Sequence, residues 1–261
     1  MRKRSYTLVA VALLAMLSTS CGSGSNFNLI SMEEEWQLGN QLAQQIATQV
    51  RFNQDPQVNA YIRNMGQRIV AQTPMANQTW DFHVVEDPAI NAFAIPGGHL
   101  YVNTGLINAA ENASELASVI GHEASHVVAR HTTEQISRQY GLSVLATMVL
   151  GQNASSLAQL AAQIVAGGAM ARFSREDEAE ADKLGQQFMT AAGYDPHGMP
   201  AMFRVLLAQQ KTSPGRVEQF FATHPTTESR VRDAEQRAAQ LAPHGQGITD
   251  EPQFQAIRQR V

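Results

Sequence analysis

The sequence predicts a mostly helical α+β domain with one small sheet. Three observations carry that reading. Capped segments with apolar residues at helical spacing recur along most of the chain. Strand and turn signals are confined to the stretch between Trp80 and Asn103. Near the middle, one apolar helix holds two histidines four residues apart, His122 and His126.

The chain opens with Arg2-Lys3-Arg4, an apolar run from Leu8 to Leu17, and then Ser18-Thr19-Ser20-Cys21. A basic start, a short apolar run and small residues before a cleavage point describe a secretory signal over residues 1–20. The run is shorter than the roughly 20 residues a membrane span needs. Cys21 stands where bacterial lipoproteins are cleaved and acylated, although Ser18 replaces the aliphatic residue usual three places before it. Gly22-Ser23-Gly24-Ser25-Asn26 has the composition of a flexible tether, so 21–30 reads as a lipidated tether ahead of a folded domain.

With 261 residues and 44% hydrophobic content, the chain can bury a sizeable core and is not intrinsically disordered. Removing Arg2, Lys3 and Arg4 with the signal leaves 16 basic against 23 acidic residues and no basic cluster, which excludes a nucleic-acid partner. One cysteine cannot form an internal disulfide, so the fold must rest on its core or on a metal.

Ser31 with Glu34 forms a capping box that opens a helix to about Val50. Asp55-Pro56 opens a second, with Val58, Tyr61, Ile62, Met65 and Ile69 on one stripe. Trp80 to Val85 alternates as a strand, and Pro96-Gly97-Gly98 joins strands at Asn91–Ile95 and His99–Asn103. A mostly apolar helix then runs from about Glu111 to His131. Between Arg138 and Arg172 the chain is free of charge but divided by Gly151-Gln152-Asn153, so 139–171 reads as a helical hairpin or lid. Ser174 caps a helix ending at Gly193, Asp195-Pro196 starts the next, and a polar helix follows Pro225. The domain covers 31–242, and 243–261 is a tail with one short helix at Phe254, Ile257 and Val261.

His122-Glu123-Ala124-Ser125-His126 is a metal-site spacing. Two histidines four apart differ by only about 40° around a helix, so both rings reach one cation, with Glu123 placed to take a proton from its bound water. His131 lies roughly 180° from His122 if the helix is continuous, which argues against it as a ligand. The metzincin spacing fails as well, since Ala129 and Thr132 stand where Gly and His are required. A carboxylate from the helix after Ser174 remains. Glu178 and Asp182 share a stripe with Ala181, Gly185, Phe188 and Met189, whereas Glu176 and Glu180 fall on the opposite, solvated face. Two acids on a buried stripe need a partner, so Glu178 is the third metal ligand and Asp182 orients a liganding histidine, most simply His122.

These residues, with Ser174-Arg175 and Glu178-Ala179-Glu180-Ala181-Asp182, resemble the HtpX and CAAX-prenyl-protease family of HExxH zinc metallopeptidases, of gluzincin type. The sequence is most similar to that family's periplasmic lipoprotein branch. The resemblance covers about residues 31–242. It implies a zincin-like domain with a small edge-strand sheet, a two-helix zinc site and one Zn2+ per chain. Asn91, Ala92, Phe93 and Ala94 resemble the family's substrate-binding edge strand, and Thr104-Gly105-Leu106 the stretch leading into the active-site helix. Thr223-His224-Pro225, with Arg230 beyond, resembles its His-Pro motif. His224 is thereby implied to stabilise the oxyanion, and the resemblance also allows it to ligate zinc at rest. Arg230 reads as structural. The transmembrane helices of other branches and a C-terminal helical-repeat module found in some members have no counterpart here.

The implied function is a membrane-anchored metalloendopeptidase of the periplasm, on the outer membrane by the Gly22 beside Cys21, acting on unfolded or misassembled envelope proteins. Outer-membrane assembly machinery is a candidate partner. The competing reading is a lipoprotein chaperone that acts by binding, against which the intact general base Glu123 argues.

Overall fold

The computed structural model describes residues 28, 30–150, 158, 159, 161, 162, 173–241 and 247–261. The signal segment, Cys21, nearly all of the tether and most of the expected lid lie outside the described residues.

Helix α1 (Met32–Ala47) starts with the Ser31–Glu34 capping box, and α2 (Pro56–Val70) with the Asp55 carboxylate accepting from the Gln57 and Val58 N–H groups. Strands β1 (Asp81–Val85), β2 (Ala92–Ile95) and β3 (His99–Asn103) form a sheet in the order β1-β3-β2. β1 runs parallel to β3 and β2 antiparallel, so β2 has one unpaired edge. Gly97 and Gly98, at φ 83° and 79°, make the turn between β2 and β3. Short α3 (Thr104–Ala109) leads into α4 (Ala113–Val128), whose residues from Ala113 to Val127 are all buried. After α5 (His131–Leu150) come α6 (Arg175–Ala191), α7 (Gly198–Thr212), α8 (Pro214–Thr223), α9 (Glu228–Gln240) and α10 (Phe254–Arg258).

Two cores lie on the two faces of the sheet. Ala92, Ala94, Leu100 and Val102 face inward onto α2, α4 and α7. Phe93, Ile95 and Tyr101 face outward onto Leu38, Leu42 and Ile46 of α1. Residues 247–261 are tied back onto this body: Ile248 bridges Tyr194, Glu251 pairs with Arg68 at 2.8 Å, and Arg260 pairs with Asp55 at 3.0 Å. None of the described helices is long and apolar enough to cross a membrane.

The central helix differs from expectation. It stops at Val128, Arg130 takes a left-handed φ of 60°, and a new helix begins at His131. The strain of that residue is offset by its guanidinium, which sits 2.6 Å from the buried Glu35 carboxylate and also donates to the Ile30 carbonyl. Helices α3 and α8 are absent from the sequence reading because each is too short to show a periodic stripe; Pro214 at the first position of α8 is the signal that was available. The helix expected at Asp195-Pro196 starts instead at Gly198, because Asp195 spends its carboxylate on the His197 N–H and ring in a turn.

Helices α4 and α6 cross with their backbones in close contact. A Cβ on Gly185 would lie 2.7 Å from the His122 backbone nitrogen, and one on Gly121 2.9 Å from the Gly185 carbonyl oxygen. Gly185→Ala should therefore push the helices apart, costing about 1–3 kcal/mol in urea denaturation and lowering metal retention; an unchanged midpoint would show that the crossing tolerates a methyl group.

On the outer face, His83 stacks on Tyr101 at 4.8 Å and lies 6.2 Å from the His99 ring. Burial pushes both imidazoles below their ordinary value, only partly opposed by Asp81. The unfolded chain then binds more protons between the folded values and about 6.5, so the contribution is full above that pH and is lost as pH falls through the interval. Stability should drop on acidification from pH 7.5 to 5.5, and His83→Phe should make the drop smaller in denaturation curves taken at both.

Candidate metal centre

Helix α4 sets His122 and His126 one turn apart, and their Nε2 atoms lie 3.1 Å from each other. Helix α6 brings Glu178 across the Gly121–Gly185 crossing, with Oε1 3.4 Å from His126 Nε2 and Oε2 3.7 Å from His122 Nε2. His224, directly after α8, places Nδ1 2.8 Å from Glu178 Oε1 and 3.2 Å from His122 Nε2. All four side chains are buried, and one ligand atom from each lies within 4.8 Å of the others.

This group fits a cation on its own chemistry. His122 Nδ1 faces Asp182 Oδ1 at 3.0 Å, which leaves Nε2 turned toward the cluster. Burial holds His126 well below the ordinary imidazole range despite Glu178, so its ring is neutral. The two Nε2 atoms, 3.1 Å apart and both close to the Glu178 carboxylate, can face one cation together. Burial alone would raise Glu178; His224, His126 and His122 outweigh it and hold the carboxylate ionised well below its usual range. Two imidazoles and a carboxylate are a usual donor set for a catalytic site.

Glu123 turns the other way from the ligands. Its Oε1 lies 3.5 Å from His224 Nε2, and the backbone N–H of Ala94 on β2 is directed at its carboxylate. Burial raises its pKa, opposed by His224 and His122. Asp182 stays ionised despite burial because Arg230 grips it with two hydrogen bonds, 2.7 and 2.8 Å, and His122 Nδ1 lies 3.0 Å away. Arg230 also contacts Glu178 and donates to the Pro225 carbonyl, so one guanidinium ties α6, α9 and the His224 segment together.

Two neighbours escaped the sequence reading. His131 lies outside the candidate ligand group, yet the break at Arg130 folds it back so that its Nδ1 lies 3.0 Å from His126 Nδ1, on the ring edge away from the cluster. Its Nε2 lies 3.4 Å from Glu180, a residue expected on a merely solvated face. Phe173, which no motif marks, stacks on the His126 ring at 3.9 Å between centroids.

The structure thus brings His122, Glu123, His126, Glu178, Asp182 and His224 into one cluster beside Ala94. Ala92 lies on the same strand, Phe93 stacks on Tyr101 at 4.6 Å, and buried Asn91 precedes them. Cys21 lies outside the described residues.

Sequence comparison extends this picture. The profile of Peptidase family M48 matches residues 56–238. The chain is 32% identical over 262 residues to the beta-barrel assembly-enhancing protease of Yersinia pestis, covering 96% of this chain and 52% of that protein. It is 33% identical over 236 residues to the protein of that name from Escherichia coli, covering 87% and 47%. The mitochondrial metalloendopeptidase OMA1 of Schizosaccharomyces pombe is 29% identical over 213 residues, covering 80% and 63%. The chain spans about half the length of the two bacterial relatives. Because the matched region runs from α2 through most of α9 and contains every residue of the buried cluster, the chain belongs to peptidase family M48.

Proposed function

We propose that this chain is a zinc metalloendopeptidase, with one Zn2+ per chain, that hydrolyses peptide bonds in unfolded or misassembled cell-envelope proteins. The observation that carries the reading is the buried His122–His126–Glu178–His224 group with Glu123 beside it at the free edge of β2. The bacterial relatives' name supports a setting beside outer-membrane barrel assembly. Residues 1–26 support a periplasmic, lipid-anchored location through Cys21, with the outer membrane favoured.

His122, His126 and Glu178 would hold the zinc. When bound, the ion supplies Lewis acidity toward water and toward the scissile carbonyl. Glu123 takes the proton of the attacking water and passes it to the leaving amine. His224 is the donor to the developing oxyanion, reaching it from its place among the ligand atoms. Asp182 and Arg230 keep the His122 ring in one tautomer and orientation. Backbone pairing along Asn91, Ala92, Phe93 and Ala94 holds an extended substrate with little demand on its sequence.

Purified protein should carry about one zinc per chain by atomic emission. His122→Ala, His126→Ala and Glu178→Ala should each strip it, and full retention in Glu178→Ala would show that another residue supplies the third ligand.

Glu123→Gln should keep the fold and the metal while lowering cleavage of an unfolded protein by about 100-fold or more, since it removes the base but preserves shape. Activity within a few-fold of wild type would exclude Glu123 as the base and favour a different mechanism.

A further inference from the structure

The outer face of β2 borders a cavity of about 400 Å³. Asn91, Phe93 and Ile95 form one wall, Leu42 and Ile46 of α1 the floor, and Ala222 and Thr223 at the end of α8 the far side. Thr223 immediately precedes His224, so this cavity adjoins the metal centre.

Strand geometry says what reaches it. The Asn103 N–H donates to the Asn91 carbonyl, and Phe93 stands opposite Tyr101, so the backbone groups of Asn91 and Phe93 are directed at β3. Those of Ala92 and Ala94 point off the free edge, as the Ala94 N–H directed at Glu123 confirms. A chain that pairs with this edge presents its side chains alternately to the two faces of the sheet. The inner face is closed by α4. On the outer face, every second side chain lies toward the Asn91–Phe93–Ile95 wall and the cavity.

The lining selects among side chains. Its floor is aliphatic and its volume accommodates the largest natural side chains, so a big apolar group gains most from entering. Asn91 Oδ1 is buried without a hydrogen-bond partner, an acceptor that an N–H or O–H satisfies and a carboxylate repels. Asp87 on the rim adds to the exclusion of acids.

We propose that this cavity is a specificity pocket taking one large apolar or aromatic side chain of an extended polypeptide paired with β2, with Ala222 and Ile46 setting its size. The proposal rests on the peptidase reading above and adds the substrate class: segments rich in large apolar residues, which folded proteins bury and unfolded ones expose.

The test uses zinc-loaded full-length protein carrying Glu123→Gln and fluorescent peptides identical except at one position, occupied by Phe, Ala or Glu and scanned along the peptide. Binding by anisotropy should favour Phe over Ala by about tenfold or more at one position, with Glu weakest. Adding Ala222→Trp, or Gln219→Trp at another exposed rim residue, should bring the Phe-to-Ala ratio near one by weakening the Phe peptide more than the Ala peptide. No measurable peptide binding, no preference at any position, or a ratio unmoved by both Trp variants overturns the pocket. Cleavage of unfolded casein by the protein with intact Glu123 reports separately on the peptidase reading: cleavage without side-chain preference removes the pocket alone, and preference without cleavage removes the peptidase assignment alone.

Discussion

The close approach of α4 and α6 at Gly121 and Gly185 is the constraint from which the rest of the centre follows. A carboxylate on one helix meets two imidazoles on another only if the backbones come closer than ordinary side chains allow. With Gly185 a Cβ short of collision with the His122 nitrogen, no larger residue fits without displacing a helix. That contact brings Glu178 and Asp182, one turn apart on α6, to opposite edges of the His122 ring. The outer ties then fall into place: Arg230 from α9 clamps Asp182, and His131 from α5 meets the far edge of His126.

Burying so many charges in one place is costly, and the arrangement limits the cost by alternation. Moving outward from the cluster, imidazoles meet carboxylates, and Asp182 meets a guanidinium that also reaches Glu178. Each anion is held ionised by a partner on a different helix, so the helices cannot drift apart without leaving a charge unpaired. Glu123 is the exception. Only imidazoles and one backbone N–H oppose its burial, which leaves it the acid of the cluster whose affinity for a proton is raised.

The sheet serves the same centre with very little material. Three strands suffice because α1 covers one face and α4 the other, and the outer edge of β2 stays unpaired. Small Ala92 and Ala94 let α4 pack directly beneath that edge, while Phe93 and Ile95 turn to the opposite core. Strand, Glu123 and cavity are thereby in register with one another through the two-residue pleat.

Much of this was legible in the residues alone. The caps at Ser31, Asp55 and Ser174, the Gly97-Gly98 turn and the histidine spacing in α4 are local features, encoded by neighbours within a turn or two of chain. The stripe carrying Glu178, Asp182 and Gly185 was readable for the same reason. Other features depend on partners far away in sequence. A left-handed Arg130 is tolerable only because Glu35, nearly a hundred residues earlier, receives its charge, and without that break His131 would point away from His126. Phe173 joins the centre by packing on the His126 and His224 rings, and Arg230 by reaching α6 from α9. The sequence by itself determined the long capped helices and which of their faces carry the clustered histidines and carboxylates, because those choices rest on local periodicity. Tertiary structure decided which ring edge each outer residue meets and what lies beside the edge strand, because such contacts exist only after distant segments have packed.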